Sequence, residues 1–226
     1  MKVNNSLKEA IDNYGDDHVG SSATTPLRAD AFELSNSDKI DQIEEKVAEI
    51  LEILGMDLTD DSINGTPKRV AKMYVNEIFG GLHPNNKPKA STFNNKYKYG
   101  EILVEKNITL YSTCEHHLLP IVGKAHVAYI SKGTVVGLSK MNRIVQYYAK
   151  RPQVQERLTL QIVEELKKVL GTEDVACVID AKHLCVNSRG INDISSSTVT
   201  SEFGGAFKNK ETKREFLDYI QLDTEF

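Results

Sequence analysis

At about residue 100 the hydrophobic pattern of this chain changes period, and that change limits what it can fold into. Before it, Ile40, Ile43, Val47, Ile50, Leu51 and Leu54 recur at helical spacing. Ser37-Asp38 reads as the N-cap of that helix, and Gly55 as its C-terminal stop. A second helix starts at Thr66-Pro67, with proline at the favoured first position. It buries Val70, Met73, Tyr74 and Ile78 and ends at Gly80-Gly81. After the change, Ile102, Val104, Ile108 and Leu110 read as extended chain, and residues 123–131 as a second strand. Two helices follow, Leu138 to Lys150 and Gln153 to Leu170, interrupted at Arg151-Pro152 and closed by Gly171. Strands at residues 174–186 and 195–202 and a short amphipathic helix, Lys213 to Ile220, complete the chain.

The expected architecture is therefore α+β: a four-stranded antiparallel sheet with helices on one face, preceded by an N-terminal helical hairpin. Residues 1–37 are polar and without sustained periodicity, and read as a disordered tail with a short helix at 6–13. Residues 38–99 form the helical region and 100–226 the strand-rich domain. Four strands covered on one face leave two open edges, so a closed homo-oligomer is expected.

The formal net charge of −4 and the pI near 5.9 argue against a general nucleic-acid binder. No apolar run approaches the roughly 18 to 20 residues of a membrane span. The N-terminus lacks the apolar stretch of a secretion signal, which points to the cytoplasm. Thiols stay reduced there, which favours metal ligation over a Cys114–Cys185 disulfide.

Two of the three cysteines and three of the six histidines fall in Cys114-Glu115-His116-His117 and His183-Leu184-Cys185. Cys114 and His117 stand three apart, so both reach one ion from a turn. Cys185 supplies a third ligand and leaves a fourth tetrahedral position open, the pattern of a catalytic zinc. His116 and His117 diverge as neighbours, which leaves His116 for proton transfer. On a strand, His183 and Cys185 share a face. Cys177 has the same parity but lies about 26 Å back at roughly 3.3 Å per residue, and reads as a core thiol. Glu115 has no evident job. His126, His18 and His83 look unremarkable.

Ser139 is placed to cap the helix after Gly137, with Lys140 and Arg143 on one face of it. This makes a phosphate-binding terminus or, equally, a capped helix with solvated bases. Arg189, and Arg69 with Lys72, are further candidate cations. Glu156 lies in the first turn of a helix, where a carboxylate is favoured. An ionised carboxylate also accepts two parallel hydrogen bonds, and the Watson–Crick edge of guanine offers two adjacent N–H donors.

Four segments together closely resemble the GTP cyclohydrolase I family. They are STCEHHLLP at 112–120, GLSKMNRIVQYYAKRPQVQERLT at 137–159, HLCV at 183–186 with Arg189-Gly190, and TPKRVAKMY at 66–74. The resemblance covers residues 38–226, and Ile121 stands where many members carry an aromatic residue. It implies the tunnelling fold, a strand-strand-helix-helix-strand-strand unit, and a homodecamer of two stacked pentamers with sites between subunits. It implies one Zn2+ per subunit on Cys114, His117 and Cys185. His116 and His183 would handle protons near the purine imidazole ring, with Ser139 and Gln155 also in the catalytic group. Gln155 and Glu156, with backbone around Val136 and Val154, would hold the guanine edge. Arg69, Lys72, Ser139, Lys140, Arg143 and Arg189 would hold triphosphate and ribose. The implied reaction is hydrolysis of GTP at C8 by a zinc-activated water, with loss of formate and formation of 7,8-dihydroneopterin triphosphate. Two rival expectations are another tunnelling-fold enzyme acting on a pterin or purine, and a binding module with a structural zinc.

Overall fold

Ser35 starts the first helix, two residues before the expected cap. In the computed structural model, which describes residues 21–89 and 91–223, helix α1 spans Asn36–Ile53. The Ser35 hydroxyl accepts from the Asp38 backbone N–H at 3.2 Å, and the Asp38 carboxylate accepts from the Ser35 N–H at 3.3 Å. This reciprocal pair satisfies donors that the helix start leaves open, and Ser37 has no such partner at that register. Residues 29–33 form turns, and the helix proposed at 6–13 lies outside the described residues. Gly55 takes φ 82°, the left-handed conformation that ends a helix without a Cβ penalty.

Helix α2, Thr66–Met73, starts with proline, packs against α1 and continues as a π-turn through Ile78. Gly81 then touches the backbone of a later helix. Its N–H donates to Lys150 O at 2.9 Å, and a Cβ there would lie 2.0 Å from Tyr147 O. Only glycine allows that approach.

Strand β1 (Thr92–Asn94) precedes the two long strands β2 (Ile102–Cys114) and β3 (Pro120–Ile130), which form an antiparallel hairpin. A bulge between Glu105 and Ile108 puts Asn107 at φ 59°. Strand β4 (Thr134–Val136) pairs with β1 in a separate two-stranded sheet. The remaining strands are β5 (Pro152–Gln153), β6 (Val175–His183) and β7 (Thr198–Phe203). The main sheet has the order β5-β2-β3-β6-β7. It is therefore five-stranded: β5 runs parallel to the end of β2, pairing Thr113 with Pro152 and Cys114 with Gln153. A two-residue strand carries no period-2 signal, so periodicity could not announce it.

Helices α3 (Leu138–Ala149) and α4 (Gln155–Leu170) pack on one face of this sheet. Met141, Ile144, Leu158, Ile162 and Leu166 meet Leu110, Ile121, Val127, Tyr129, Cys177 and Ile179 there, all essentially excluded from water. Each such side chain contributes about 1.5–3 kcal/mol relative to exposure. The other face is also partly covered, contrary to the one-face expectation. Ala128, Ala176 and Val178 pack with Phe207 and Phe216 of the C-terminal segment. Beyond β6 the chain turns at once into a short helix, α5 (Leu184–Asn187), and it ends with α6 (Lys210–Gln221). The strand expected to run through residue 186 thus stops at His183. Among the described residues no helix is long and apolar enough to cross a membrane.

Candidate metal centre and active site

Sheet register brings the two Cys/His motifs together. Ile121, early in β3, pairs with His183, the last residue of β6, and Cys114 ends the neighbouring β2. The chain reverses after Cys114 through a tight turn: Leu118 N donates to Cys114 O at 2.9 Å, and Cys114 N to Leu119 O at 2.8 Å. Leu118 sits at φ 52° to allow it. One ligand atom each from Cys114, His117 and Cys185 lies within 4.8 Å of the others, and Cys114 Sγ is 3.9 Å from His117 Nδ1. Zn–S bonds of about 2.3 Å and Zn–N bonds of about 2.0 Å in a tetrahedron put ligand atoms roughly 3.5–3.8 Å apart, so a small inward shift seats the ion.

The donor chemistry fits as well. Cys114 is buried, Cys185 half-buried and His117 exposed. Burial, together with the adjacent Cys114, pushes the Cys185 thiol up to about 11. A bound cation would favour the thiolate form of such a ligand. Cys185 reaches the cluster from α5 rather than by strand parity with His183, so the shared-face argument fails although the convergence holds. Cys177, expected to be a core thiol too far back along the strand to join the cluster, is fully buried in the sheet core.

Glu115 gains a partner that sequence reasoning missed. Arg157, on α4 and almost completely buried, directs Nη2 to the Glu115 carboxylate and to Pro152 O at 3.0 Å. Its Nε donates to Gln153 Oε1 at 2.9 Å and its Nη1 to Ser22 O at 3.2 Å. Gln153 is held in turn by Tyr148 O and Gln161 Oε1, both at 2.9 Å, and its own carbonyl accepts from Glu115 N at 3.0 Å. The metal turn is thus tied to the start of α4 through backbone and side chain at once. Glu115 Oε1 is also 3.8 Å from His116 Nε2, and both residues line a cavity of about 610 Å³ with Leu118 and Pro152. The one available signal was an unassigned acid in the motif and an arginine beside Glu156, which only spatial contact pairs.

His183 meets Gln155, with 2.7 Å between its Nε2 and Gln155 Oε1. Burial holds the His183 imidazole below its ordinary value, with the Glu156 charge working in the opposite direction. Gln155 is 1% exposed, and its Nε2 donates to Ile179 O, Thr198 O and Thr200 Oγ1 at 3.1, 2.8 and 3.1 Å. Its side-chain amide is therefore committed inside the fold rather than open to a guanine edge. Glu156, the next residue, is exposed and makes no hydrogen bond or ion pair among the described residues. Val154 is the N-cap of α4, and Val136 ends β4 as a buried residue.

The cations remain dispersed within one chain. Gly137, not Ser139, is the N-cap of α3, with no side-chain cap; Ser139 is exposed one residue inside the helix. Lys140 is half-buried, and Arg143 borders a cavity of about 410 Å³ with Gly81, Gln146, Tyr147 and Lys150. Arg69 and Lys72 are exposed on α2. Arg189 is exposed after α5, and its charge reaches Cys185. None of these five cations has a hydrogen bond or ion pair with the Cys–His–Cys cluster among the described residues.

A family model described as GTP cyclohydrolase I matches residues 43–221. A Flavobacterium johnsoniae protein named GTP cyclohydrolase 1 is 73% identical over 224 residues, covering 99% of this chain and 100% of that protein. Proteins of the same name from Citrobacter koseri and Aeromonas salmonicida are 52% and 54% identical over 198 and 194 residues. They cover 87% and 85% of this chain, and 89% and 88% of their own lengths.

Proposed function

The chain belongs to the GTP cyclohydrolase I family and acts as a GTP cyclohydrolase, and on that premise we propose that the Cys114–His117–Cys185 cluster is its catalytic metal centre. The observation that carries this reading is the convergence of two thiols and an imidazole, from segments about 70 residues apart, at one end of the sheet. The enzyme opens the imidazole ring of GTP at C8, releases formate and forms 7,8-dihydroneopterin triphosphate. The metal is zinc, one per subunit, and when bound it lowers the pKa of water toward neutrality.

The remaining work falls to side chains of this chain. His116 opens onto the cavity beside the metal turn and delivers a proton to N7 of guanine, which makes C8 electrophilic. Glu156 accepts the two N–H groups of the guanine edge, aided by backbone at Val136 and Val154. It is supported in that role by being exposed and unpaired beside His183. His183 handles the later proton transfers, with the Ser139 hydroxyl. Lys140, Arg143, Arg189, Arg69 and Lys72 bind triphosphate and ribose; among the described residues none of them is in an ion pair.

Dispersed cations and an exposed outer strand, with Val199 63% exposed, favour a site completed by a second subunit. We assign the ββααββ unit to the tunnelling fold, the assembly to a decamer of two pentamers, and the protein to the cytoplasm. Residues 1–37, 38–99 and 100–226 serve as tail, helical hairpin and catalytic domain.

Zinc-loaded protein incubated with GTP should release formate and give pterin fluorescence after oxidation; the absence of both signals would overturn the reading. Glu156→Ala should abolish GTP recognition, and unchanged binding would reject its role.

A further inference from the structure

Gln155 presents an amide whose orientation is dictated by what surrounds it. Its Nε2 faces Thr198 O at 2.8 Å and Ile179 O at 3.1 Å, two carbonyl oxygens that only accept. Turning the amide over would set Oε1 against both oxygens at those distances with no hydrogen between them. The third neighbour, Thr200, agrees. Thr159 Oγ1 donates to Gln155 O at 2.8 Å, so the 2.7 Å contact between the two threonine hydroxyls has Thr200 as donor. The Thr200 oxygen is then left to accept from Gln155 Nε2 at 3.1 Å. Nε2 carries two hydrogens for these three acceptors, so one hydrogen is shared, and all three contacts call for the nitrogen on this side.

Oε1 therefore faces His183 as a pure acceptor, and a 2.7 Å contact between it and Nε2 requires the hydrogen on Nε2. In the neutral imidazole the lone pair then resides on Nδ1. The acceptors lie on β6 and β7 and the amide on the first turn of α4, so rigid elements hold the arrangement on every side.

We propose that Gln155 is a positioning residue that fixes the orientation of the His183 ring and locks it in its Nε2–H tautomer. The role of His183 in proton transfer rests on the function proposed above; the tautomer itself does not.

Neutron diffraction from crystals of zinc-loaded, deuterated protein tests it directly. Deuterium on His183 Nε2, pointing at Gln155 Oε1, is the expected result. Deuterium on Nδ1 alone, with the amide reversed, overturns the proposal whatever the activity of the protein. Kinetics add a second arm. Gln155→Leu removes the acceptor and should lower kcat about 100-fold, the scale of one misdirected acid–base group, with the KM for GTP changed less than about threefold. Gln155→Glu keeps one oxygen as acceptor and should retain at least about ten times the kcat of Gln155→Leu. Equal losses in the two variants would mean that packing, not the acceptor, matters, and would overturn the proposal. Should Gln155→Leu fail to fold, the deuterium positions in the unaltered protein still decide.

Discussion

Replacing Arg157 by methionine keeps most of the side-chain volume and removes the guanidinium that ties the metal turn to α4. The arginine is 3% exposed and its partner Glu115 carboxylate 14%, so water replaces the lost donors only in part. Four acceptors are orphaned: the Glu115 carboxylate, Pro152 O, Gln153 Oε1 and Ser22 O. Removing one partner of a buried ion pair costs about 3–5 kcal/mol, mostly because the other charge stays buried without compensation. For a chain of this length that corresponds to a fall in melting temperature of about 6–20 °C. Adding Glu115→Gln removes the stranded charge, so the double variant should be more stable than Arg157→Met alone. The turn carrying Cys114 and His117 loses its brace too, and zinc affinity should fall about 10- to 100-fold, as when other outer partners of metal ligands are lost. The assays are calorimetric melting at fixed subunit concentration, since assembly shifts apparent stability, and competition with a zinc-binding dye. An Arg157→Met protein melting within about 2 °C of the unaltered chain would refute the argument that this pair is largely isolated from water.

Cys185→Ser should lower bound zinc from about one per subunit to near zero under dialysis, read by atomic absorption, because two protein ligands hold the ion far less well than three. Chelation of the unaltered protein should abolish pterin formation and added zinc should restore it. Gly81→Ala forces a methyl against Tyr147 O and Lys150 O, at 2.0 and 2.7 Å, and should cost about 1–3 kcal/mol by melting. His126 carries a pH prediction. Burial first, then repulsion from Lys124, holds its imidazole below the ordinary 6.5. Above that pH both states are neutral; as pH falls below it the unfolded chain binds the proton first, so stability declines. His126→Gln should flatten this decline, and an unchanged slope between about pH 6.5 and 5 would refute it.

Much of the secondary structure was legible because its signals are local. Thr66-Pro67, Gly171 and the switch to period-2 hydrophobicity in β2 each act within a few residues, and the helices and strands lie close to where those signals put them. The misses are also local in cause. Ser35 outcompetes Ser37 because the cap needs an acid three residues on, and Asp38 stands in that place only for Ser35. The strand leading to Cys185 ends early because α5 follows His183 directly, and high β-propensity in residues 174–186 masks that break.

The sequence by itself picked out the Cys/His motifs and determined the type of most elements, since spacing of three in a turn and periods of 2 and 3.6 are properties of neighbouring residues. Only the tertiary structure decided which distant groups meet. The Ile121–His183 pairing, the Arg157–Glu115 contact and the inward-facing amide of Gln155 depend on strand register and on how α4 seats against β6 and β7. Register is set by the whole buried face of a sheet, and a slip of one residue would reverse every side chain on it. No short window of sequence contains that information, and it is why Glu115 appeared idle until Arg157 stood beside it.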